Sequence, residues 1–434
     1  MKFLKNKIYF SYIKQILLKK GDSKNLYHVF ISYSSIILLS SVVVNIFNYL
    51  FHLSTARLLS VQNFGILQTI INLINIATIL TVIIRLQVTK ELTGLVANKK
   101  LAFAGSLTKK LNILTIVLTI SALLIFLTLE YLMNLQFGLL QPWHIVIVII
   151  VSGLTFNLAI NRALMRAYLI FKAMAINTIL QAFLRLIITT AILLLEFKLS
   201  GVLFALVSSY VLTLFSSFIQ LKNKFAGNLS VKIGIDKVKL SRESFHTAIG
   251  QLGLTSLISI DLIMVQYFLP NQAGFYAGLS LFGKALLFTT TPFSTVLFPM
   301  IISSNKKQQF KLLTLSIILI SAISFFIFLI FNIFADILIR TLLSKSYLVV
   351  AENLSLYTIF IAVYCIANLI IGGFVALNKY VISYAALLAT IVQIVGITFF
   401  HQNLNQVIYV SLITTTSLTI FCIIDFVRVF RKEI

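Results

Sequence analysis

Long apolar runs recur along the whole chain and are separated by short polar or basic segments. A run of about 18 or more apolar residues is long enough to cross a bilayer as a helix. The runs do not alternate apolar and polar residues as the strands of a membrane β-barrel do. The pattern therefore predicts an all-α, polytopic membrane protein with about twelve spanning helices, at residues 27–53, 64–86, 111–130, 142–165, 174–195, 199–221, 245–268, 278–303, 312–334, 351–375, 380–400 and 406–427.

Composition agrees with this class and narrows the chemistry. Of the 434 residues, 59% are hydrophobic and 11% are charged, whereas soluble domains carry about 25% charged residues. Cys365 and Cys422 both lie in apolar runs, where cysteine behaves as a small core residue. No cluster of histidine, cysteine and carboxylate residues has metal-ligand spacing, and no glycine-rich phosphate loop occurs. We therefore expect no metal site and no bound cofactor.

The net charge of +24 could indicate nucleic-acid binding, but the basic residues lie in short loops between the apolar runs. In a membrane protein such loops set the orientation, with Lys and Arg on the cytoplasmic side. Nearly all Lys and Arg residues fall in the N-terminus, the C-terminus and the loops after even-numbered spans. The alternate loops hold only Arg57, Lys198, Arg340 and Lys345. Both termini are therefore predicted to be cytoplasmic, and nucleic acid is not an expected partner.

A long loop divides the chain into two sets of six spans. The predicted parts are a basic interfacial segment at 1–26, a first lobe at 27–221, the loop 222–244, a second lobe at 245–427 and a cytoplasmic tail at 428–434. Two similar stretches occupy matching positions in the lobes, "LSTARLLSVQNFGILQTI" from Leu53 and "QYFLPNQAGFYAGLSLF" from Gln266. Aligning them places Gly65 on Gly274, as expected for two lobes related by a pseudo-twofold axis. We expect both stretches to form outer turns whose glycines permit tight bends.

Polar side chains form stripes at helical spacing on three spans of the first lobe. Because polar groups in lipid are costly, their placement is informative. Such stripes either bond neighbouring helices together or face a water-filled cavity. Their number, and the presence of an arginine, favour the cavity. The striped residues are Ser41, Asn45, Asn48 and His52 in span 1; Gln68, Asn72 and Asn75 in span 2; and Asn177, Gln181, Arg185 and Thr189 in span 5.

In the second lobe, Asp261 and Lys284 lie well inside consecutive spans. Counted at 1.5 Å per residue, both lie roughly 10 Å below the outer surface. They could form a mutual ion pair, or Asp261 could couple transport to protons or sodium ions, or either could contact substrate. Span 8 also contains Pro292 and Pro299, which predict a bend there, either static or part of a moving element.

These stretches resemble the signatures of bacterial polysaccharide flippases. The first stretch resembles a family signature that consists of an arginine, a short polar turn and a Phe-Gly pair. The matching residues here are Arg57, Phe64 and Gly65. The second stretch resembles a family pattern that consists of an aspartate, an apolar pair, a valine, a short turn and A-G-x-Y. The matching residues here are Asp261, Gly274 and Tyr276, and Lys284 follows them. This chain has Ser60 where glycine is frequent, and three apolar residues rather than two after Asp261.

The resemblance implies two six-helix lobes that open alternately to each side of the bacterial inner membrane. It implies flipping of undecaprenyl-pyrophosphate-linked oligosaccharide for O-antigen, lipopolysaccharide or capsule, with membrane lipids and a polysaccharide polymerase as further partners. Arg57 would contact lipid headgroups or the outer mouth, and Arg185 would bind the pyrophosphate. The same superfamily includes drug/cation antiporters, which remain the alternative. A membrane polymerase or ligase is less favoured because the outer loops are short and carry few charges, so we do not expect an enzyme.

Overall fold

This computed structural model describes residues 23–133, 140–224, 241–377 and 379–430, and these residues form helices joined by short turns. The all-α prediction is confirmed. Most of the predicted interfacial segment 1–26, of the loop 222–244 and of the tail 428–434 lies outside the described residues.

The first lobe begins with the longest helix and contains a distorted second span. Its helices are α1 (Ser23–Leu58), α2 (Val61–Ala77), α3 (Thr89–Ala97), α4 (Leu101–Met133), α5 (Pro142–Ala167), α6 (Phe171–Leu194) and α7 (Leu199–Leu221). Between α2 and α3 the backbone stays helical but includes a 3-10 turn at Thr78–Leu80 and a π-helical turn at Ile84–Val88. Amides bond helices within the lobe: Asn112 Nδ2 donates to Asn161 Oδ1 (2.9 Å), and Asn161 Nδ2 donates to Ser217 Oγ (2.8 Å).

The second lobe repeats this plan with one additional short helix on the connection between its third and fourth spans. Its helices are α8 (Arg242–Leu257), α9 (Ile260–Phe268), α10 (Ala273–Ser303), α11 (Lys306–Ile333), α12 (Ala335–Leu342), α13 (Ala351–Ala376), α14 (Val381–Phe399) and α15 (Leu404–Phe430). Its core is aromatic and aliphatic, and includes the fully buried Phe282, Phe360 and Phe374.

The helices follow the predicted order of spans. Among the described residues, ten helices are long and apolar enough to cross a membrane, and the bent pair α8–α9 adds an eleventh if it is one span. Helix α10 has 31 residues, which is roughly 46 Å at 1.5 Å per residue. The protein is therefore a multi-pass membrane protein with two lobes.

The connection between the second and third spans differs from the prediction. The pattern ended span 2 at residue 86 and began span 3 at residue 111, but the structure has only a tight turn at residues 98–100. Lys99 adopts a positive φ of 58° in that turn. On either side of that turn the chain is helical, and Leu92 and Val96 of α3 pack in one buried cluster with Leu107 of α4. Basic residues end the membrane-embedded part of a helix without ending the helix.

The structure shows a bend of the second lobe in span 7, where the sequence predicted none, and the bend predicted in span 8 stays a prediction. Helices α8 and α9 meet at an angle of 43° at residues 258–259, whereas α10 is helical across the positions of both prolines. Side chains satisfy three carbonyls near the end of α8. Thr390 Oγ1 donates to Gly253 O (2.9 Å), Tyr364 OH to Leu254 O (3.0 Å) and Gln393 Nε2 to Leu257 O (3.1 Å). Satisfied carbonyls allow a helix to break inside a membrane.

Candidate functional site

The two similar sequence stretches pack against each other across the lobe interface. Gly65 lies within α2 and Gly274 lies within α10. A Cβ on Gly65 would lie 2.6 Å from the backbone nitrogen of Gly274, and a Cβ on Gly274 would lie 1.8 Å from the carbonyl oxygen of Val61. The expectation that these glycines make tight turns is therefore wrong. They permit the two helices to touch backbone to backbone, which no other residue allows.

Aromatic rings and polar side chains extend this contact. The fully buried Phe64 of α2 meets Tyr347 of the second lobe edge-on, with ring centroids 6.4 Å apart. Lys284 Nζ donates to Gln68 Oε1 (2.6 Å), and Gln68 Nε2 is 2.9 Å from His52 Nδ1. These contacts join the lobes near the N-terminal ends of α2 and α10. Arg57 is exposed at the end of α1, close in sequence to this contact.

Asp261 and Lys284 each form hydrogen bonds with other residues and not with each other. The buried Asp261 carboxylate accepts hydrogen bonds from Tyr276 OH (2.8 Å) and from the backbone N–H of Leu262 (2.7 Å). Asp261 lies in the first turn of α9, where a carboxylate is favoured by the helix dipole. It thus ties the start of α9 to α10, while Lys284 bonds across the interface. A role of Asp261 in ion coupling stays a prediction.

The break between α8 and α9 also contacts the first lobe. Asn72 Nδ2 of α2 lies 3.5 Å from the carbonyl oxygen of Ser259, which is the residue before α9. This is the fourth side chain directed at backbone carbonyls near the bend, and it comes from the opposite lobe. Asn72 therefore links the striped face of span 2 to the bend of span 7.

At the other end of the bundle the lobes separate around a cavity of about 840 Å³. We call this the basic end, because the turns around it carry Lys99, Lys100, Lys306, Lys307 and Lys379. The first lobe contributes Arg85, Leu86, Gln87 and Lys90 to the cavity, all from the distorted region and α3. The second lobe contributes residues of α8, α10 and α13, with Tyr380 at the start of α14.

A smaller pocket of about 170 Å³ adjoins this cavity, since Arg85 lines both. Its cationic residues are Arg85, Arg162 and Arg166, and we call it the arginine pocket. Arg85 lies in the π-helical turn, a distortion frequently found at functional sites. Arg162 is held in place from α6: its Nε donates to Asn177 Oδ1 (2.9 Å) and its Nη2 to Gln181 Oε1 (2.7 Å). Three guanidinium groups and an adjoining cavity are suited to bind a polyanion.

The arginine pocket escaped the sequence interpretation because its residues were counted as loop charges at the ends of spans. The spacing of Arg162 and Arg166, four residues apart on one helix face, was the available signal. Of the striped residues, Asn177 and Gln181 support this pocket by holding Arg162. Asn45 is half-buried on α1, and Asn75 is exposed on α2.

Arg185 lies outside both described cavities. Its Nη2 donates to Asn48 Oδ1, and its guanidinium carbon lies 4.7 Å from the centroid of the Phe51 ring. The two partners belong to α1, so Arg185 joins α1 to α6. The polar stripe of span 5 therefore contacts the polar stripe of span 1 through the Arg185–Asn48 hydrogen bond.

We expect Arg185→Ala to lower protein abundance and activity together, by roughly 1–3 kcal/mol of lost stability, because a half-buried Asn48 loses its charged donor. Arg185→Lys should retain part of both. The measurement is membrane abundance by immunoblot beside transport in the same cells. Normal abundance with lost transport would instead assign Arg185 to substrate binding.

Solved transporter structures share this fold at low sequence identity. An inward-facing conformation of a multidrug resistance MATE family transporter of the MOP superfamily has a TM-score of 0.68 and 13% identity, covering 90% of this chain and 95% of that one. An outward-facing conformation of such a transporter has a TM-score of 0.60, 13% identity and coverage of 96% and 98%. A MOP superfamily transporter from Pyrococcus furiosus has a TM-score of 0.60, 15% identity and the same coverage.

The described residues therefore have the fold of MOP superfamily transporters. Residues 32–305 match the family described as polysaccharide biosynthesis protein, and the chain belongs to that family. No curated protein matches the chain.

Proposed function

We propose that the protein is a flippase that moves undecaprenyl-pyrophosphate-linked oligosaccharide across the cytoplasmic membrane for surface polysaccharide biosynthesis. The observation that carries the proposal is the arginine pocket beside the cavity between the lobes. A pyrophosphate needs cationic partners, and a guanidinium binds phosphate oxygens through a bidentate fork. The adjoining cavity of about 840 Å³ is large enough for sugar residues next to the phosphates.

The arrangement of Arg162 supports this assignment. Asn177 and Gln181 hold its guanidinium in one position, so less side-chain entropy is lost when an anion binds. Arg85 is exposed and lines both cavities, so it can contact an anion that lies between them. Arg162 would therefore bind the pyrophosphate with a fixed guanidinium, and Arg85 would bind it with a side chain that can adjust its position.

The charge distribution supports entry of the substrate from the cytoplasm. The basic end is the cytoplasmic end by the positive-inside rule, so the cavity opens inward and the Gly65–Gly274 contact closes the outward path. The higher TM-score with the inward-facing transporter (0.68) than with the outward-facing one (0.60) supports an inward-open cavity. Release outside would require separation of Gly65 from Gly274 and loss of the Lys284–Gln68 hydrogen bond.

The alternative is a drug/cation antiporter, since two of the similar structures are described as multidrug resistance transporters. Arg85, Lys90 and the arginine pocket make the first-lobe wall cationic, which repels a cationic drug. The Pyrococcus furiosus transporter is described as having a binding pocket of reverse polarity that suggests a different function. An anionic substrate is the better match to the first-lobe wall here.

Filling the cavity tests the proposal. Gly372 lines the cavity, and a Cβ there would meet no atom within 4 Å, so Gly372→Trp is expected to fold and to occupy substrate space. We expect at least about tenfold slower flipping, equivalent to roughly 1.4 kcal/mol, with the lipid-linked unit accumulating on the cytoplasmic leaflet. The measurements are surface glycan and extracted lipid-linked oligosaccharide in a strain without a second flippase.

Gly94 provides the matched control, because a Cβ there also meets no atom within 4 Å and the residue does not line the described cavity. Gly94→Trp should leave surface glycan unchanged. Normal glycan in cells that carry Gly372→Trp, or in cells without the gene, would reject a flippase with this cavity.

A further inference from the structure

The two walls of the cavity differ in charge. Among the described lining residues, the first-lobe wall carries Arg85 and Lys90, whereas the second-lobe wall has no lysine or arginine. The second-lobe wall instead presents hydroxyl and amide side chains, namely Ser241, Ser244, Thr247, Gln251, Thr291 and Asn368. Such groups match the hydroxyls of sugars, because each can both donate and accept hydrogen bonds.

Glu243 is the one carboxylate among the described lining residues. It lies exposed in the first turn of α8, and its carboxylate has no ion-pair partner in the part of the chain that the structure describes. The preceding residue, Arg242, directs its Nε to His246 Nε2 (3.1 Å) and does not line the cavity. The negative charge of Glu243 therefore lies on the second-lobe wall, whose described lining residues include no lysine or arginine.

The position of Glu243 also removes a possible anion site. A helix N-terminus attracts anions through its free N–H groups and its dipole, and the start of α8 borders the cavity. Ser241 caps this helix by accepting from the N–H of Ser244 (3.1 Å), and Glu243 adds a fixed negative charge to the same turn. A second anion at this place would meet both a satisfied cap and a like charge.

We propose that the second-lobe wall selects an uncharged glycan and that Glu243 disfavours glycans with acidic sugars. The proposal rests on the proposed function, since it orients the substrate with its pyrophosphate toward the first lobe and its sugars toward the second. A uronic acid on the second-lobe wall would give up hydration without gaining a cation there. Discrimination then comes from repulsion of the wrong substrate as well as from hydrogen bonds to the right one.

Flipping by the purified, full-length protein in liposomes tests this. Two synthetic polyprenyl-pyrophosphate disaccharides would be compared, identical except that the terminal sugar is a hexose in one and the corresponding hexuronic acid in the other. We expect wild-type protein to flip the hexose substrate about fivefold faster, the ratio that roughly 1 kcal/mol of charge repulsion gives. Glu243→Gln should bring the ratio close to one by raising the rate for the acidic substrate.

Glu352→Gln is the control, because Glu352 is also an exposed acid in the first turn of a second-lobe helix but lies at the opposite end of the bundle. It should leave the ratio at its wild-type value. Equal rates for both substrates in wild type, or an unchanged ratio in Glu243→Gln, would overturn the selectivity while leaving the flippase intact. Transport of neither substrate by wild type would reject the flippase itself, and this inference with it.

Discussion

Replacement of Gly274 by alanine should abolish transport while leaving the protein folded and in the membrane. The added Cβ would lie 1.8 Å from the carbonyl oxygen of Val61, and a backbone atom cannot move aside as a flexible side chain can. The steric conflict is between lobes, so we expect the lobes to separate at this end instead of unfolding. The protein would then lose the conformation that closes the outward path, which alternating access requires.

Distance measurement distinguishes this outcome from misfolding. Gln62 and Asn271 are both exposed near the contact, and the native Cys365 and Cys422 are buried and unbonded. Spin labels on Gln62→Cys and Asn271→Cys should report a longer distance when Gly274→Ala is added, with flipping reduced to background. Gly94→Ala, in open space, should change neither quantity. An unchanged distance with normal flipping in Gly274→Ala would remove the glycine contact from the mechanism.

Arg85→Ala should weaken binding of the lipid pyrophosphate by about 10- to 100-fold, as expected for the loss of one charge-assisted hydrogen bond of roughly 1.5–3 kcal/mol. Arg85 is exposed and lines both the cavity and the arginine pocket, so its removal costs little packing. Arg85→Lys should recover part of the affinity, because lysine keeps the charge but lacks the planar fork. The measurement is the Kd of the purified protein for a polyprenyl pyrophosphate without sugar.

Arg428 supplies the control for overall charge. It is exposed at the same end of the bundle and lies outside both described cavities, so Arg428→Ala removes one cation without removing a ligand. Its Kd should match wild type. If the Arg85 and Arg428 variants weaken binding equally, the attraction is diffuse and the arginine pocket is not the binding site.

The spans, their order and the division into two lobes could be predicted because they depend on local quantities. Apolar length and loop charge are read within windows of about 20 residues, and neither needs knowledge of distant contacts. Even there, the ends of helices were placed less well. Residues 89–97 and 101–110 belong to α3 and α4, and Leu92, Val96 and Leu107 of these helices are buried in one cluster, although their surroundings are polar and basic.

The candidate site depended far more on contacts between residues that are distant in the chain. Lys284 was placed beside Asp261 by depth, yet it bonds to Gln68 of the other lobe, and Asp261 bonds to Tyr276. Arg162 was counted as a loop charge, yet Asn177 and Gln181 hold it in the arginine pocket. Depth along a helix can be counted from sequence, but the direction in which a side chain finds its partner cannot.

The sequence by itself determined the membrane class, the positions of most spans and the pairing of Gly65 with Gly274 in register, because hydrophobic length and repeated spacing are properties of the chain alone. Only the tertiary structure showed that these two aligned glycines are in contact. The two glycines meet across the lobe interface, and the bend in span 7 persists because Thr390, Tyr364 and Gln393 satisfy its carbonyls from more than 100 positions away. A free backbone carbonyl in lipid is too costly to remain unpaired, so the location of a helix break is determined by the partners that the fold brings to it.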